Sequence, residues 1–130
     1  MKIIELFAGI GSQTQALKNL NIKHEVIGIS EIDKYAIKSY EAIHGLVNNF
    51  GDITKIEKLP YCDLLTYSFP CQDISVAGKQ AGIAIGTRSG LLYEVERLLE
   101  NMEEKPKYLL LENVKNLVGK GHKADFDKWL

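Results

Sequence analysis

Two residues of this sequence have side chains that together suit covalent chemistry on an aromatic ring. Cys71 stands in the segment Ser-Phe-Pro-Cys-Gln directly after an apolar run, and Glu112 follows a second apolar run 41 residues later. A thiolate can attack a ring carbon while a protonated carboxyl group bonds a ring nitrogen, so the pair predicts a site of covalent addition. Taken alone, Cys71 also fits a structural role, because single cysteines are often small buried residues.

A glycine-containing segment near the N-terminus is typical of a nucleotide-binding turn. The letters FAGIG at 7–11 follow an apolar run, and Ser12 is predicted to cap the helix after them. Glu31 lies 20 residues beyond the second glycine, the usual distance to a carboxylate that binds a ribose. Thr14 replaces the third glycine of dinucleotide-binding loops, which favours an adenosine ligand without a pyrophosphate, such as S-adenosylmethionine. An ordinary strand-to-helix turn with Glu31 in solvent is the alternative.

Apolar runs and amphipathic stretches alternate along the chain in the order of a parallel α/β fold. We predict strands over 2–7, 26–30, 47–50, 63–68 and 108–111, and helices over 12–20, 33–44, 90–104 and 124–130. Asp33 should cap the second helix, and the unbroken apolar strand 108–111 suits a parallel strand covered on both faces. Because parallel strands end at one edge of the sheet, the strand ends should form the site, with Cys71 opening a long loop over 69–89.

Composition limits the classes of protein that fit. The chain has 130 residues, 45% of them hydrophobic and 25% charged, as expected for one soluble domain. Its 16 basic and 17 acidic residues exclude binding to nucleic acid by overall charge alone. Cys62 and Cys71 lie apart from the scattered histidines, so we expect no metal site and a reducing cytoplasm. No apolar run is long enough for a membrane span.

Five motifs in one order resemble the catalytic half of DNA (cytosine-5) methyltransferases over nearly the whole chain. They are FAGIG, Glu31, GDI at 51–53, SFPCQ at 68–72 and ENV at 112–114. The resemblance implies an α/β, Rossmann-like methyltransferase fold with a mostly parallel open sheet, truncated after the fifth strand and following helices. It also implies that Cys71 attacks C6 of a cytosine flipped from double-stranded DNA while Glu112 bonds the N3 edge. C5 would then take the methyl group of S-adenosylmethionine, leaving S-adenosylhomocysteine.

The same resemblance assigns roles to further residues. The methionine end of the cofactor would contact Phe7, Ala8, Gly9, Ile10 and Gly11. Glu31 would bind the ribose, Ile32 and Ile53 the adenine ring, Asp52 its amino group, and Pro70 and Leu92 the region of the sulfonium. Asn113 would support the Cys71 loop, whose residues Gln72, Ser75, Lys79 and Arg88 would face DNA. Ile32 departs from the aromatic residue often found there, so adenine stacking would be weaker.

Complete members of the family contain segments that this sequence lacks. We expect 1–130 to be the N-terminal part of the catalytic domain, without the target-recognition domain. DNA methylation by the isolated chain should then be weak or absent. The chain would then be the product of a truncated gene, one subunit of a split methyltransferase completed by a second chain, or a fragment that self-associates through the unpaired edge of the strand 108–111 and binds only the cofactor. A nonenzymatic cofactor-binding fragment remains an alternative, as does an RNA methyltransferase, whereas Thr14 opposes a nicotinamide-dependent oxidoreductase.

Overall fold

The computed structural model describes residues 1–68 and 91–112, apart from the side chain of Leu92. In chain order the elements are β1 (Lys2–Leu6), α1 (Ser12–Asn19), β2 (Glu25–Ser30), α2 (Lys34–His44), a 3₁₀ turn (Ile53–Lys55), β3 (Leu64–Tyr67), α3 (Leu92–Asn101) and β4 (Tyr108–Leu111). The predicted alternation of strands and helices is therefore confirmed over these residues. The predicted loop 69–89 and the predicted C-terminal helix 124–130 lie outside them.

The four described strands form one parallel sheet in the order β2-β1-β3-β4. The chain runs outward from β1 to β2 on one side and later from β3 to β4 on the other. A sheet of this order has its switch point between β1 and β3, and the turns after these strands lie at one edge. That edge carries FAGIG after β1 and Ser68 after β3.

Apolar side chains fill both faces of the sheet. One cluster lies beneath α3 and joins it to β1 and β3 through residues that are almost fully buried, among them Ile4, Leu6, Leu65, Val95 and Leu98. A smaller cluster on β2 and α2 contains Ala8, Ile29 and Tyr40. Burying each large apolar side chain stabilises the fold by about 1.5–3 kcal/mol, so these clusters hold β1 rigidly below the site.

Two of the helix boundaries show which cap predictions succeed. Asp33 caps α2 as predicted, since its carboxylate accepts hydrogen bonds from the backbone N–H groups of Tyr35 and Ala36. The prediction of Ser12 as the cap of α1 is wrong, because Gly11 holds the cap position with a φ of 83° and no side chain caps the helix. The left-handed conformation required there favours glycine, so backbone geometry decides this boundary.

The predicted third strand at 47–50 is wrong as a strand. Only an isolated parallel bridge joins Ile29 to Asn49 there. The Asn49 side chain instead hydrogen-bonds backbone groups around it, and Gly51 adopts a φ of 83° that turns the chain away from the sheet. The segment therefore serves as a buttress beside β2.

The third helix is shorter than predicted. It ends at Asn101, and Met102 is already extended. The ammonium group of Lys105 folds back and donates to the carbonyl groups of Leu99, Glu100 and Met102 at the end of the helix. The parallel pairing of β4 and its place at the edge of the described sheet are confirmed. Its predicted cover on both faces is not seen among the described residues, since Tyr108, Leu109 and Leu110 are 63%, 48% and 47% exposed.

Candidate functional site

A pocket of about 410 Å³ opens at the carboxyl ends of β1, β2 and β3. We call it the rim pocket. Its lining comprises Phe7, Ser30, Glu31, Ile32, Asp52, Ile53, Thr54, Ser68 and Leu91. This volume lies within the range of small-molecule sites, and the mixture of apolar walls with two carboxylates suits a ligand that has both a flat apolar part and hydrogen-bond donors.

Glu31 ties the glycine turn to the end of β2. Its Oε1 accepts a hydrogen bond of 2.8 Å from the backbone N–H of Gly9, which comes from the turn after β1. Its Oε2 accepts from the backbone N–H groups of Ile32 and Asp33 at 2.9 and 3.1 Å. Each carboxylate oxygen has two acceptor sites, so the bonds already made leave room for a ligand hydroxyl group at this carboxylate.

Asn49 holds the backbone of Glu31, a contact that sequence analysis does not single out. The Asn49 Oδ1 accepts from the N–H groups of Glu31 and Gly51, and its Nδ2 donates to the Glu31 carbonyl at 3.0 Å. The Ser30 hydroxyl adds a bond of 2.7 Å to the Gly51 carbonyl. An asparagine can accept from the backbone N–H two residues on and so favours a turn, but nothing in the sequence indicates that the Asn49 amide bridges two segments.

Asp52 begins the 3₁₀ turn at the lower wall of the pocket. One carboxylate oxygen, Oδ1, accepts from both the backbone N–H and the hydroxyl of Thr54. These hydrogen bonds, first from the Thr54 side chain, hold the pKa of Asp52 below its ordinary value. Asp52 is therefore an anion at neutral pH, with its second oxygen free of hydrogen bonds to the described residues.

Arg97 of α3 supports the same turn from behind. Its guanidinium donates to the carbonyl groups of Ile56 and Ile53 at 2.7 and 2.9 Å and forms an ion pair with Glu94 at 2.6 Å. Both carbonyl groups border the 3₁₀ turn, so α3 fixes the position of Asp52 and the buried Ile53. This arginine is another contributor that sequence analysis does not identify.

The five residues of FAGIG divide between two surfaces. Phe7 lines the rim pocket and has a φ of 55°, while Ala8 is buried beneath it. Gly9 has a φ of 58° and gives its N–H to Glu31. Ile10 and Gly11 line a separate hollow beside α1 and α2, and the Ile10 side chain is half exposed. Of the residues expected at the methionine end, Phe7 thus lines the rim pocket, and Gly9 donates a hydrogen bond to Glu31 in its wall.

Among the residues expected at the cofactor, Glu31, Ile32, Asp52 and Ile53 all line the rim pocket. Leu92 begins α3, but its side chain lies outside the described residues. Several other site residues also lie outside them: Pro70, Cys71, Gln72, Ser75, Lys79, Arg88 and Asn113. The structure therefore brings four expected adenosine contacts together at one pocket.

Glu112 lies just beyond β4 and is exposed. Its N–H donates to the Tyr67 carbonyl at 3.2 Å, which continues the β3–β4 pairing by one residue. In the described part of the chain, Glu112 borders an apolar groove of about 420 Å³ between α1 and the strands β3 and β4. It is not among the residues that line the rim pocket. Because Cys71 lies outside the described residues, the expected meeting of Glu112 with Cys71 stays a prediction.

Cys62 differs from a reactive thiol. It is fully buried, and burial raises its pKa to about 11. A thiol with this pKa is almost entirely protonated at neutral pH and is a poor nucleophile. Cys62 is therefore a small core residue of the described structure.

Within the described residues, no helix has the length and apolar character needed to cross a membrane. The same residues contain no group of three or more histidine, cysteine or carboxylate side chains placed to hold a metal ion.

Sequence comparison decides the family. The sequence pattern of the C-5 cytosine-specific DNA methylases matches residues 1–130. The chain belongs to this family. The type II methyltransferase M2.ScrFI of Lactococcus lactis subsp. cremoris is 41% identical over the whole chain, which spans 51% of that relative. The orphan methyltransferase M.Rho11sI of Bacillus phage rho11s is 46% identical over 91% of the chain, but the match spans only 24% of its own length.

Solved structures support the same fold. The Dnmt2 methyltransferase of S. pombe superposes with a TM-score of 0.74 and 25% identity, over all of this chain and 39% of its own. A DNA modification methyltransferase from an E. coli prophage superposes with a TM-score of 0.71 at 20% identity, which shows the fold alone. The α/β methyltransferase architecture predicted from the sequence is therefore confirmed. The chain spans about half the length, or less, of these relatives.

Proposed function

We propose that this chain provides the S-adenosylmethionine-binding and nucleophile-bearing part of a DNA (cytosine-5) methyltransferase. The observation that carries the proposal is the rim pocket, where Glu31 joins the glycine turn to β2 beside an anionic Asp52. Family membership supplies the reaction class, and the pocket supplies a place for the cofactor at the end of the sheet where such folds bind ligands.

The residues of the rim pocket fit an adenosine. Glu31 has free acceptor sites for ribose hydroxyl groups, and the exposed Ile32 and buried Ile53 provide apolar surface for the adenine ring. The unpaired oxygen of Asp52 would accept from the adenine amino group. Phe7, with Gly9 behind it, would border the methionine end, and Pro70 and Leu92 would complete that wall. When bound, S-adenosylmethionine supplies the methyl group and leaves as S-adenosylhomocysteine.

Cys71 and Glu112 would perform the chemistry on cytosine. The Cys71 thiolate adds to C6, and the Glu112 carboxyl group bonds N3, so electron density moves to C5. C5 then gains the methyl group, loses its proton, and the thiolate is eliminated to restore the ring. Glu112 must carry a proton when the thiolate attacks, which requires a closed, poorly hydrated cleft around this now exposed side chain.

The DNA-binding surface would come from residues beyond the rim pocket. Gln72, Ser75, Lys79 and Arg88 would contact the duplex around the flipped cytosine, with Asn113 supporting the Cys71 loop. We infer that 1–130 is the N-terminal part of the catalytic domain, and that target recognition belongs to a further segment or a complementing chain. Bacterial and phage relatives suggest a restriction-modification or phage enzyme of the reducing cytoplasm, where free thiols persist.

A covalent trapping assay tests the proposal. The full chain is incubated with S-adenosylmethionine and a duplex of mixed sequence containing 5-fluorocytosine, whose fluorine blocks the loss of a proton from C5 and so prevents elimination. We expect a denaturation-resistant adduct that is lost in Cys71→Ser and kept in Cys62→Ser, because Cys62 is buried.

The assay is repeated with lysate of the source organism. An adduct formed only in lysate would indicate a complementing chain. An adduct that survives Cys71→Ser would overturn the assignment of the nucleophile. If no adduct forms in either case while S-adenosylhomocysteine still binds, the chain is a nonenzymatic cofactor-binding fragment and the proposed methyltransferase activity is wrong.

A further inference from the structure

We propose that His44, at the end of α2, is a positioning residue that clamps the glycine turn from behind, and that it makes its full set of bonds only as a neutral imidazole. Its Nε2 lies 3.0 Å from the carbonyl oxygen of Ile10, and its Nδ1 lies 2.6 Å from the Nζ of Lys18. The imidazole therefore joins α1 and α2 to the turn whose Gly9 is bonded to Glu31. The consequence for cofactor binding rests on the proposed function.

The two contacts of His44 determine where its proton lies. The Lys18 ammonium can only donate, so Nδ1 of His44 must accept. The Ile10 carbonyl can only accept, so Nε2 must carry the proton and donate to it. Only the neutral tautomer with the proton on Nε2 satisfies both bonds. An imidazolium would turn an N–H group toward the Lys18 ammonium and break the chain of contacts.

The imidazole packs against the glycine turn and against Tyr40. A Cβ atom at Gly11 would lie 2.6 Å from His44 Nε2 and from Tyr40 Cε2, so α2 lies directly against the turn. The ring centroids of Tyr40 and His44 lie 4.7 Å apart, with the planes tilted by 55°. The Tyr40 hydroxyl is 3.4 Å from Thr14 Oγ1, which donates to the buried Glu5 and so links Tyr40 to β1. His44 therefore contacts a side chain that is itself held in the core.

The surrounding charges favour the neutral form. Lys18 faces His44 from α1, His24 faces it from the segment before β2, and Glu5 lies on β1 behind Tyr40. Burial, and then the positive charge of Lys18, lower the pKa of His44, although the hydrogen bond to Ile10 opposes this. The stability that neutral His44 contributes is therefore complete above about pH 6.5 and is lost as the pH falls through the lowered pKa, where the bond from Lys18 breaks.

Hydrogen exchange and calorimetry on the full chain test this role. His44→Phe keeps the ring but loses both hydrogen bonds, whereas the Nε2 of His44→Gln can still donate to Ile10 and does not titrate. In the ligand-free chain, we expect His44→Phe to speed amide exchange of Gly9 and Gly11 at least fivefold at pH 7.5, and His44→Gln to leave it near wild type.

Calorimetric titration with S-adenosylhomocysteine should show the same order of affinities. Wild-type affinity should fall at least fivefold from pH 7.5 to 5.5, while His44→Gln should change by less than twofold. His24→Gln is the control that should keep the wild-type pH dependence.

Two results would overturn the clamp: exchange in His44→Phe equal to wild type, or the same pH dependence in His44→Gln and wild type. If S-adenosylhomocysteine binds no variant, the proposed function fails, and the ligand-free exchange rates still decide the role of His44.

Discussion

The two sides of the sheet differ in how completely their own residues enclose them. Around the ends of β1 and β2, backbone and side-chain hydrogen bonds join Gly9, Glu31, Asn49 and Gly51 into one unit. At β4, three of the four residues expose large apolar side chains, and the outer side of the strand has no partner strand among the described residues. Within the described residues, one side is self-contained and the other exposes apolar side chains.

This difference separates two functions that the proposed enzyme must combine. The rim pocket, proposed to bind the cofactor, is built from segments within the first 54 residues together with Ser68 and Leu91. The carboxyl group proposed to bind cytosine stands at the exposed strand β4. Cofactor binding should therefore survive in this chain even where methylation of DNA requires additional protein.

The largest expected effect concerns stability. Ile4 on β1 is fully buried, and Ile4→Ala should lower the free energy of unfolding by about 3 kcal/mol through lost burial and the cavity left behind. Leu110→Ala on β4 should cost less than about 1 kcal/mol, because that side chain is half exposed. Urea denaturation of the full chain measures both. Equal losses of unfolding free energy in the two variants would show that β4 is covered as tightly as β1, which would contradict the difference between the two sides of the sheet.

The second effect concerns the carboxylate that unites the rim. Glu31→Gln replaces one of the two acceptor oxygens by an amide NH₂ group, which can only donate. That donor would face either the N–H of Gly9 or the N–H groups of Ile32 and Asp33, and those hydrogen bonds would be lost. Lost charged hydrogen bonds cost roughly 1.5–3 kcal/mol, and we expect affinity for S-adenosylhomocysteine to fall at least tenfold. Calorimetric titration measures this affinity. The exposed Glu96→Gln on α3 is the matched control, and a comparable loss there would contradict the assignment.

The smallest effect concerns a buried carboxyl group beneath the self-contained side. Burial raises the pKa of Glu5, and its Oε2 has no hydrogen-bond partner in the described structure. A raised pKa means that the folded chain prefers the protonated form. Stability from this group is therefore present below about pH 4 and is lost as the pH rises through the raised pKa.

Glu5→Gln removes that titration, so the variant should be more stable than wild type by about 1 kcal/mol at pH 8 and equal to it near pH 4. Urea denaturation at a series of pH values measures the difference. The exposed Glu25→Gln serves as control. Parallel pH profiles of wild type and Glu5→Gln would show that Glu5 is not desolvated as described.

Sequence patterns predicted the elements whose signals are local. The apolar runs of β1, β2, β3 and β4 and the Asp33 cap were all recognisable, because burial and capping depend on residue type. The segment 47–50 has two apolar residues, Val47 and Phe50, around two asparagines, and it pairs at one bridge only. The conformation of this segment depends on the hydrogen bonds between the Asn49 amide and the backbone of Glu31, which is 18 residues away and is not indicated by any local pattern.

The candidate site shows the same division. Glu31 was identified by its spacing from the glycine turn, and Asp52 by the resemblance of the GDI motif to the family. Asn49, Arg97 and His44 were not, because each acts on backbone atoms of a segment distant in sequence. Backbone atoms are the same at every residue, so such contacts leave no compositional trace. The residues that support this site can therefore be identified only from the folded structure.

Binding at the rim pocket is tested by titrating the ¹⁵N-labelled full chain with S-adenosylhomocysteine and monitoring the amide chemical shifts. We expect saturable shifts at Gly9, Ile32 and Thr54 around the rim pocket, while the shifts of Leu109 and Leu110 on β4 stay unchanged. Saturable shifts centred on β4, or none at the rim pocket, would contradict the claim that the first two strands carry a self-contained cofactor site.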